Sequence, residues 1–173
     1  MRILIMHRNL FLSMTLFVII FSACNSKKEK AHQYLTELNN IKKDVDLLDS
    51  STYVSYMTTF LGSPNDSLYG KYDSPAFTRF IHDSDTKYEG LFVRLDTLPS
   101  YIEDTAAKNS LKSFIRYQQD GLESYYTKVL TLEKADTLLD TLYNARLREL
   151  EKAYFFEHYK LAKQYNINVI TKN

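Results

Sequence analysis

Long helical repeats and a shortage of turn residues constrain the fold of this 173-residue chain more than any other feature. The sequence contains four glycines and three prolines, which is few for a β-sandwich or a β-barrel with many turns. Apolar residues instead recur every three or four positions through most of the chain, which is the spacing of one face of an α-helix. The sequence therefore predicts an all-α fold.

Four stretches carry such an apolar stripe, and turn signals separate them. The first helix is predicted at about 31–61, and a loop at 62–75 follows it. The second helix begins at Pro75, because proline is favoured at the first helical position. Pro99 marks the break before the third helix, and the fourth is predicted at about 132–165. Apolar stripes cannot remain exposed, so we predict an up-down bundle of about four long amphipathic helices.

The boundary between the third and fourth helices has two interpretations. Asp120-Gly121 is typical of a turn, but the apolar stripe continues in phase through Val129. The phase changes only near residues 130–132, where we place the turn. A single long C-terminal helix, which would give a three-helix fold, is the alternative.

The N-terminal segment differs in composition from the rest of the chain. Two arginines and a histidine precede a 12-residue apolar run at 10–21. A membrane-spanning helix needs about 20 apolar residues, so this run has a better length for a signal peptide. The small residues Ser22 and Ala23 follow as a candidate cleavage site, and then comes Cys24, the only cysteine.

This arrangement resembles the signal of bacterial lipoproteins, whose lipobox ends in a cysteine that is lipidated and becomes the new N-terminus. Ser22, Ala23 and Cys24 match the motif, and Phe21 stands where the family usually has an aliphatic residue. The resemblance covers residues 1–24 alone. It implies a lipid anchor at Cys24 and a place in the bacterial cell envelope, at the outer membrane facing the periplasm. An uncleaved membrane anchor, or a buried helix with an incidental thiol, is the alternative.

The predicted organisation follows from these two features. We expect a signal peptide at 1–23, the lipidated cysteine and a spacer at 24–30, a helical bundle at 31–166 and a C-terminal tail at 167–173. Removing residues 1–23 leaves 20 basic and 21 acidic side chains, which gives no electrostatic footprint for nucleic acid. The mature domain has no second thiol, so its stability must come from core burial rather than from disulfides.

Each predicted helix also carries a polar residue within its apolar stripe. These residues are Asp49, Ser84 (or its neighbour Asp85), Gln118 and Arg146. In an antiparallel bundle these four residues would lie at similar heights along the bundle axis, which predicts a polar layer across the core. In this layer Asp49 pairs with Arg146, and Gln118 and Ser84 satisfy the remaining hydrogen-bonding groups. We interpret the layer as structural, because buried polar groups can fix helix register, and truncation of Asp49 is then expected to destabilise the fold. A ligand site is the alternative.

The sequence shows no catalytic motif. Glu29 and His32 have the Glu-x-x-His spacing of di-iron bundles, but such a site needs a second copy and further glutamates. The stretch 82–85 could bind a cation, but it is typical of a solvated helix face, and His158 beside Glu157 is predicted to be a pair at a helix edge. We therefore predict no catalytic residue, no metal and no cofactor.

The expected function is a lipid-anchored binding or scaffolding module. Tyrosine is enriched at protein interfaces, and the predicted loop at 62–75 carries two of them. Tyr69, Lys71 and Tyr72 of this loop are the candidate contact with an envelope protein partner. A small-ligand carrier with a cavity between the helices, and an enzyme of unrecognised type, are the alternatives.

Overall fold

A computed structural model describes the backbone of residues 2–56, 58–59, 75–99, 105–131 and 137–168, and the side chains of 26–56, 58–59, 75–99, 105–122, 124, 126 and 141–168. These residues form four α-helices: α1 (Arg2–Tyr56), α2 (Pro75–Asp96), α3 (Ala106–Thr131) and α4 (Thr137–Gln164). No strand occurs within the described ranges. The prediction of an all-α fold is confirmed.

The helices form an up-down bundle in which each helix packs against the next one in the chain, and α4 packs back against α1. Neighbouring helices are antiparallel, because contact positions increase along one helix and decrease along the other. Along the contact between α1 and α4, Leu35, Asn39 and Lys42 lie beside His158, Tyr154 and Glu151 in that order. The predicted bundle topology is also confirmed.

The prediction that the third and fourth helices are separate is confirmed, and α3 remains helical through residues 130–131, where the turn was expected to begin. Helix α3 ends at Thr131, where the apolar stripe changes phase, and α4 is a separate helix that packs against it, so the single-helix alternative is wrong. Gly121 lies inside α3 and not in a turn. A Cβ atom there would lie 2.6 Å from the Tyr143 ring of α4, so this glycine allows the two helices to approach closely.

Helix α1 differs from its prediction at its N-terminus, because its backbone is helical from Arg2 through the predicted spacer. Its α-helical part ends at Tyr56, and residues 58–59 have π-helical geometry, while the predicted end near residue 61 lies outside the described residues. The side chains of residues 26–30 are exposed, and Ala31 is the first buried side chain in the described part of α1. Among the described helices, none has a stretch long and apolar enough to cross a membrane.

The C-terminus of α4 is closed by a hydrogen-bonded cap. Asn166 has a left-handed backbone with φ of 52°, and the Ile167 amide donates to the Ala162 carbonyl at 2.9 Å. This arrangement is a Schellman motif, in which an apolar residue after the cap packs back on the helix. Ile167 is partly buried against the core, so the start of the predicted tail belongs to the bundle.

The apolar stripes of α1, α2 and α3 supply most of the buried core, as predicted. Helix α4 departs from its predicted stripe, because Leu142 and Ala153 are exposed while Tyr154 and Leu161 are buried. The stripe predicted from its sequence consists of Ala135, Leu139, Leu142, Tyr143, Leu150, Ala153, Tyr154 and Leu161. The side chains that α4 buries most completely are Tyr154, His158, Leu161 and Ala162. Successive helical residues lie about 100° apart, so only one member of an adjacent pair such as Ala153 and Tyr154 can face the core.

Candidate functional site

The structure assembles only part of the predicted polar layer. Ser84 of α2 and Gln118 of α3 are buried, and Asp49 of α1 is half-buried. The Gln118 side-chain oxygen has no hydrogen-bond partner among the described residues. Since an unsatisfied buried oxygen is costly, this layer contributes less to stability than a fully connected network would.

The predicted pair between Asp49 and Arg146 is wrong. Arg146 is exposed and pairs instead with Glu149, one turn further along α4, at 2.9 Å. It lies at the edge of α4 that faces α3, where its guanidinium keeps its contact with water. An exposed arginine avoids the desolvation cost that a buried pair must recover from geometry alone.

Asp49 is consequently a half-buried carboxylate that contacts no cation among the described residues. Burial raises the pKa of Asp49, and the negative charge of Asp46 raises it further, while the more distant Lys42 opposes both effects. Burial also raises the pKa of the Tyr88 phenol, and the charge of Asp49 adds to that rise. Both directions indicate an environment in which negative charge is poorly compensated.

The cation that the bundle does bury is Lys42, which the sequence interpretation missed. Its side chain is 5% exposed, and its ammonium group donates to Asp46 at 2.7 and 2.9 Å and to Glu151 of α4 at 2.7 Å. The same nitrogen lies 4.6 Å from the centre of the Phe114 ring, within range of a cation–π interaction. Lys42 follows Leu38 by four positions, so its place in the α1 stripe was the available signal.

His158 is buried and does not form the predicted pair at a helix edge. Its Nε2 lies 3.3 Å from the Leu35 carbonyl oxygen of α1, and Glu157 pairs instead with Lys160. Burial lowers the pKa of His158, and the contact with the Leu35 carbonyl opposes that shift. His158 therefore favours its neutral form in the folded protein.

The two stretches with possible metal ligands do not form a site. Glu29 and His32 both have their side chains in solvent. The stretch 82–85 is divided, since His82 and Asp83 are exposed whereas Ser84 is buried. Within the described residues, no group of three or more histidine, cysteine, aspartate or glutamate side chains is arranged to hold a metal ion.

A polar cluster joins α2 to α3 beside a surface cleft of about 880 Å³. Gln119 is buried there, and its amide nitrogen donates to Asp85 at 2.6 Å and to Glu89 at 2.7 Å. The amide oxygen of Gln119 accepts a hydrogen bond from Arg116 at 2.7 Å. Because these partners satisfy the Gln119 amide at both ends, the cluster is best understood as a lock between the two helices.

A second cleft, of about 380 Å³, lies between α1 and α2 and has polar walls. Thr52 and Ser84 line it; both are buried, and neither hydroxyl makes a hydrogen bond to a described residue. Elsewhere, helical hydroxyls such as those of Thr36 and Thr86 donate to the carbonyl four residues earlier. The cleft therefore contains hydrogen-bonding groups that the described part of the fold does not use.

The most unusual exposed surface lies on α4. Phe155, Phe156 and Tyr159 are 49, 66 and 59% exposed, although large aromatic side chains are normally buried. The sequence interpretation missed this surface, but an available signal was the adjacent pair Phe155-Phe156, since both cannot face the core. We call these three residues, together with the exposed cations Arg148, Lys152 and Lys163 on the same side of the helix, the α4 surface.

The remaining predicted site residues cannot be placed in this geometry. Tyr69, Lys71 and Tyr72 lie outside the described residues, and so do the side chains of Ser22, Ala23 and Cys24, whose backbone belongs to α1.

Comparison with protein-family models, with curated proteins and with solved structures finds no match for this chain. The fold and the site define its class, which is an all-α, up-down four-helix bundle with an exposed aromatic and basic helix face.

Proposed function

We propose that this protein is a lipid-anchored component of the bacterial cell envelope that acts by binding, as an interaction or scaffolding module, rather than by catalysis. The resemblance of residues 1–24 to a lipoprotein signal supports the anchor. Cys24 is the lipidated residue in this proposal, and Ser22 and Ala23 precede the cleavage site. The envelope location, at the outer membrane facing the periplasm, follows from the same resemblance.

The observation that carries the proposal is the continuity of α1. Its backbone is helical through Cys24, and Ala31, its first described buried residue, follows seven positions later. Seven helical residues span about 10 Å, at 1.5 Å per residue. A bundle attached through such a short helical connection stays close to the bilayer, where it can meet other envelope proteins.

The outer face of α1 offers one surface for such a partner. Leu47 and Val54 are both exposed, and their spacing of seven residues places them on the same side of the helix. Exposed aliphatic side chains at this spacing are typical of a helix that packs against another helix. The predicted loop contact at Tyr69, Lys71 and Tyr72 remains the second candidate for this role.

Mass spectrometry of the native protein tests the anchor. We expect a chain that begins at Cys24 and carries acyl groups, and we expect incorporation of labelled fatty acid that Cys24→Ser abolishes. A native chain with Met1 intact and an unmodified Cys24 sulfur would overturn the proposal.

Site-specific photocross-linking in intact cells tests the binding role. A cross-linker at Leu47 is expected to capture one defined envelope protein, and Val54→Lys is expected to abolish that product. Asn109, an exposed position on α3, is the matched control position. Equal products from Leu47 and Asn109 would count against a specific α1 surface.

A second candidate function, binding of a small polar ligand, is favoured by the unused hydroxyls of Thr52 and Ser84. A molecule in this cleft would receive hydrogen bonds from two hydroxyls that make none to the described residues. Mass spectrometry of small molecules released from the purified native protein tests it. We expect a released compound whose amount falls in the Thr52→Val and Ser84→Ala variants, whereas an identical profile would exclude this function.

A further inference from the structure

The α4 surface combines exposed aromatic rings with positive charges that no described carboxylate neutralises. Arg148, Lys152 and Lys163 make no ion pair with any described residue. Their spacing of three or four residues, interleaved with Phe155 and Tyr159, places them along one side of the helix.

The described acidic residues of α4 do not neutralise these cations, because each pairs with another residue. Glu149 pairs with Arg146, Glu157 with Lys160, and Glu151 with the buried Lys42. The α4 surface is therefore a locally positive strip around three exposed rings, on a chain whose overall charge is close to neutral.

The position of this strip in the bundle is equally informative. Helix α4 runs antiparallel to α1, and His158 lies beside Leu35. Leu35 is eleven positions after Cys24, a distance of about 16 Å along a helix. The residues from Phe155 to Lys163 thus lie at the end of the bundle that leads to Cys24.

We propose that the α4 surface docks onto the anionic face of the membrane that holds the protein, as a second attachment beside the lipid. This inference rests on the proposed lipid anchor for its geometry. Aromatic rings favour the boundary between headgroups and acyl chains, and lysine and arginine are attracted to anionic headgroups. The anchor would keep the surface at a high effective concentration next to the bilayer, so that modest individual contacts suffice.

Charge complementarity distinguishes this occupant from a protein. Lysine is depleted in protein interfaces relative to the rest of the protein surface, whereas two of the three cations of the α4 surface, Lys152 and Lys163, are lysines. Rings bordered by lysines are instead typical of helices that lie at a membrane surface. Docking by this face would also orient α2, the helix diagonally opposite α4, away from the bilayer.

Tryptophan fluorescence tests the proposal directly, because the chain contains no tryptophan. The full-length Phe156→Trp variant is mixed with vesicles of phosphatidylethanolamine and phosphatidylglycerol, or of phosphatidylcholine alone. We expect a blue shift of the emission and quenching by brominated lipid in the anionic vesicles, both reduced by added salt. Val93→Trp, at an exposed apolar position on α2, is the matched control and is expected to keep the emission of a water-exposed indole.

Charge reversal supplies the second arm. In the Phe156→Trp background, Lys152→Glu with Lys163→Glu is expected to abolish most of the quenching. Reversal of Arg79 and Lys87, two exposed α2 cations that also lack ion pairs to described residues, is the matched control and is expected to leave it unchanged. Loss of quenching with both pairs would indicate a response to net charge alone and would overturn the proposal.

The remaining outcomes separate the docking surface from the lipid anchor. If the indole of the Phe156→Trp variant keeps a water-like emission in anionic vesicles, the docking is overturned, and a blue shift that appears only after an envelope protein is added overturns it too. Mass spectrometry of the same preparation reports the state of Cys24 independently. An unlipidated protein with a quenched indole would therefore remove the anchor and keep the docking, and a lipidated protein with a water-like indole would do the reverse.

Discussion

Two polar residues of α1, Lys42 and Asp49, lie two turns apart and have opposite surroundings. Lys42 is almost completely buried, and two carboxylates and an aromatic ring compensate its charge. Asp49 is only half-buried, yet it accepts no hydrogen bond from a described residue, and its pKa is raised. The contrast shows that the depth of a charged group does not by itself determine its effect on the free energy of unfolding. That effect depends on the partners that compensate its charge.

The largest effect is expected from breaking the compensated site. Lys42→Ala should lower the free energy of unfolding by about 2 kcal/mol, because it removes a buried aliphatic stem, the cation–π contact with Phe114 and the ion pairs to α4 and within α1. The loss is not larger because Asp46 and Glu151 are 52 and 39% exposed, so no buried charge is left unpaired. Urea unfolding monitored by circular dichroism measures the change.

Lys43 is the matched control, because it is the next residue, is exposed and forms no ion pair with a described residue. Lys43→Ala should stay within about 0.5 kcal/mol of the parent. If Lys42→Ala proves as mild as Lys43→Ala, the contact between α1 and α4 does not depend on this cation.

A change of opposite sign is expected at the uncompensated site. Asp49→Asn should raise the free energy of unfolding at neutral pH by about 1 kcal/mol, because it removes a partly desolvated charge and keeps the shape of the side chain. This reverses the sequence-based expectation that truncating Asp49 destabilises the fold, which assumed a pair with Arg146. Asp46→Asn, three residues away, should instead lower stability because Asp46 pairs with Lys42.

The sequence could predict the structural features that depend on a single helix, such as which side of it faces the core. Helices α1, α2 and α3 separate apolar from polar positions, so their core faces follow from spacing. Helix α4 contains adjacent apolar pairs such as Ala153-Tyr154, and spacing does not say which member faces inward. The partner helix decides: the hydroxyl of Tyr154 donates to Asn39 of α1 at 3.2 Å, which fixes the rotation of α4.

The polar contacts were harder to predict, because their partners are distant in the chain. The place of Lys42 in the α1 stripe indicated that it faces the core, but its partner Glu151 lies 109 positions later, and the local sequence of α1 does not identify that partner. The predicted pair between Asp49 and Arg146 is wrong for the same reason. The rotation of α4 about its own axis is set by its partner helices, and it places Arg146 at the edge of α4 and not in the core. Equal height in the bundle was therefore necessary for pairing but not sufficient.

The contribution of Asp49 to the free energy of unfolding depends on pH, and the raised pKa of Asp49 determines the sign of that dependence. In the unfolded chain the carboxyl loses its proton near its ordinary value of 3.8, whereas the folded protein retains the proton to a higher pH. The folded state therefore binds more protons in this interval, and the stability contributed by this site falls as the pH rises through it. The difference between Asp49→Asn and the parent should accordingly grow from about pH 4 to pH 7, and a difference independent of pH would contradict the assignment.

The smallest effect concerns His158, which lies on the same α1–α4 contact as Lys42. Its pH dependence has the opposite sign to that of Asp49. Its lowered pKa means that the unfolded chain takes up a proton near pH 6.5 while the folded protein does not, so stability falls as the pH decreases below that value. His158→Gln should flatten the dependence between about pH 7.5 and pH 5.5, a change of less than about 1 kcal/mol. His82→Gln, at an exposed histidine of α2, is the control variant. If the two variants have the same pH profile, burial of His158 against the Leu35 carbonyl does not cause the loss of stability at low pH.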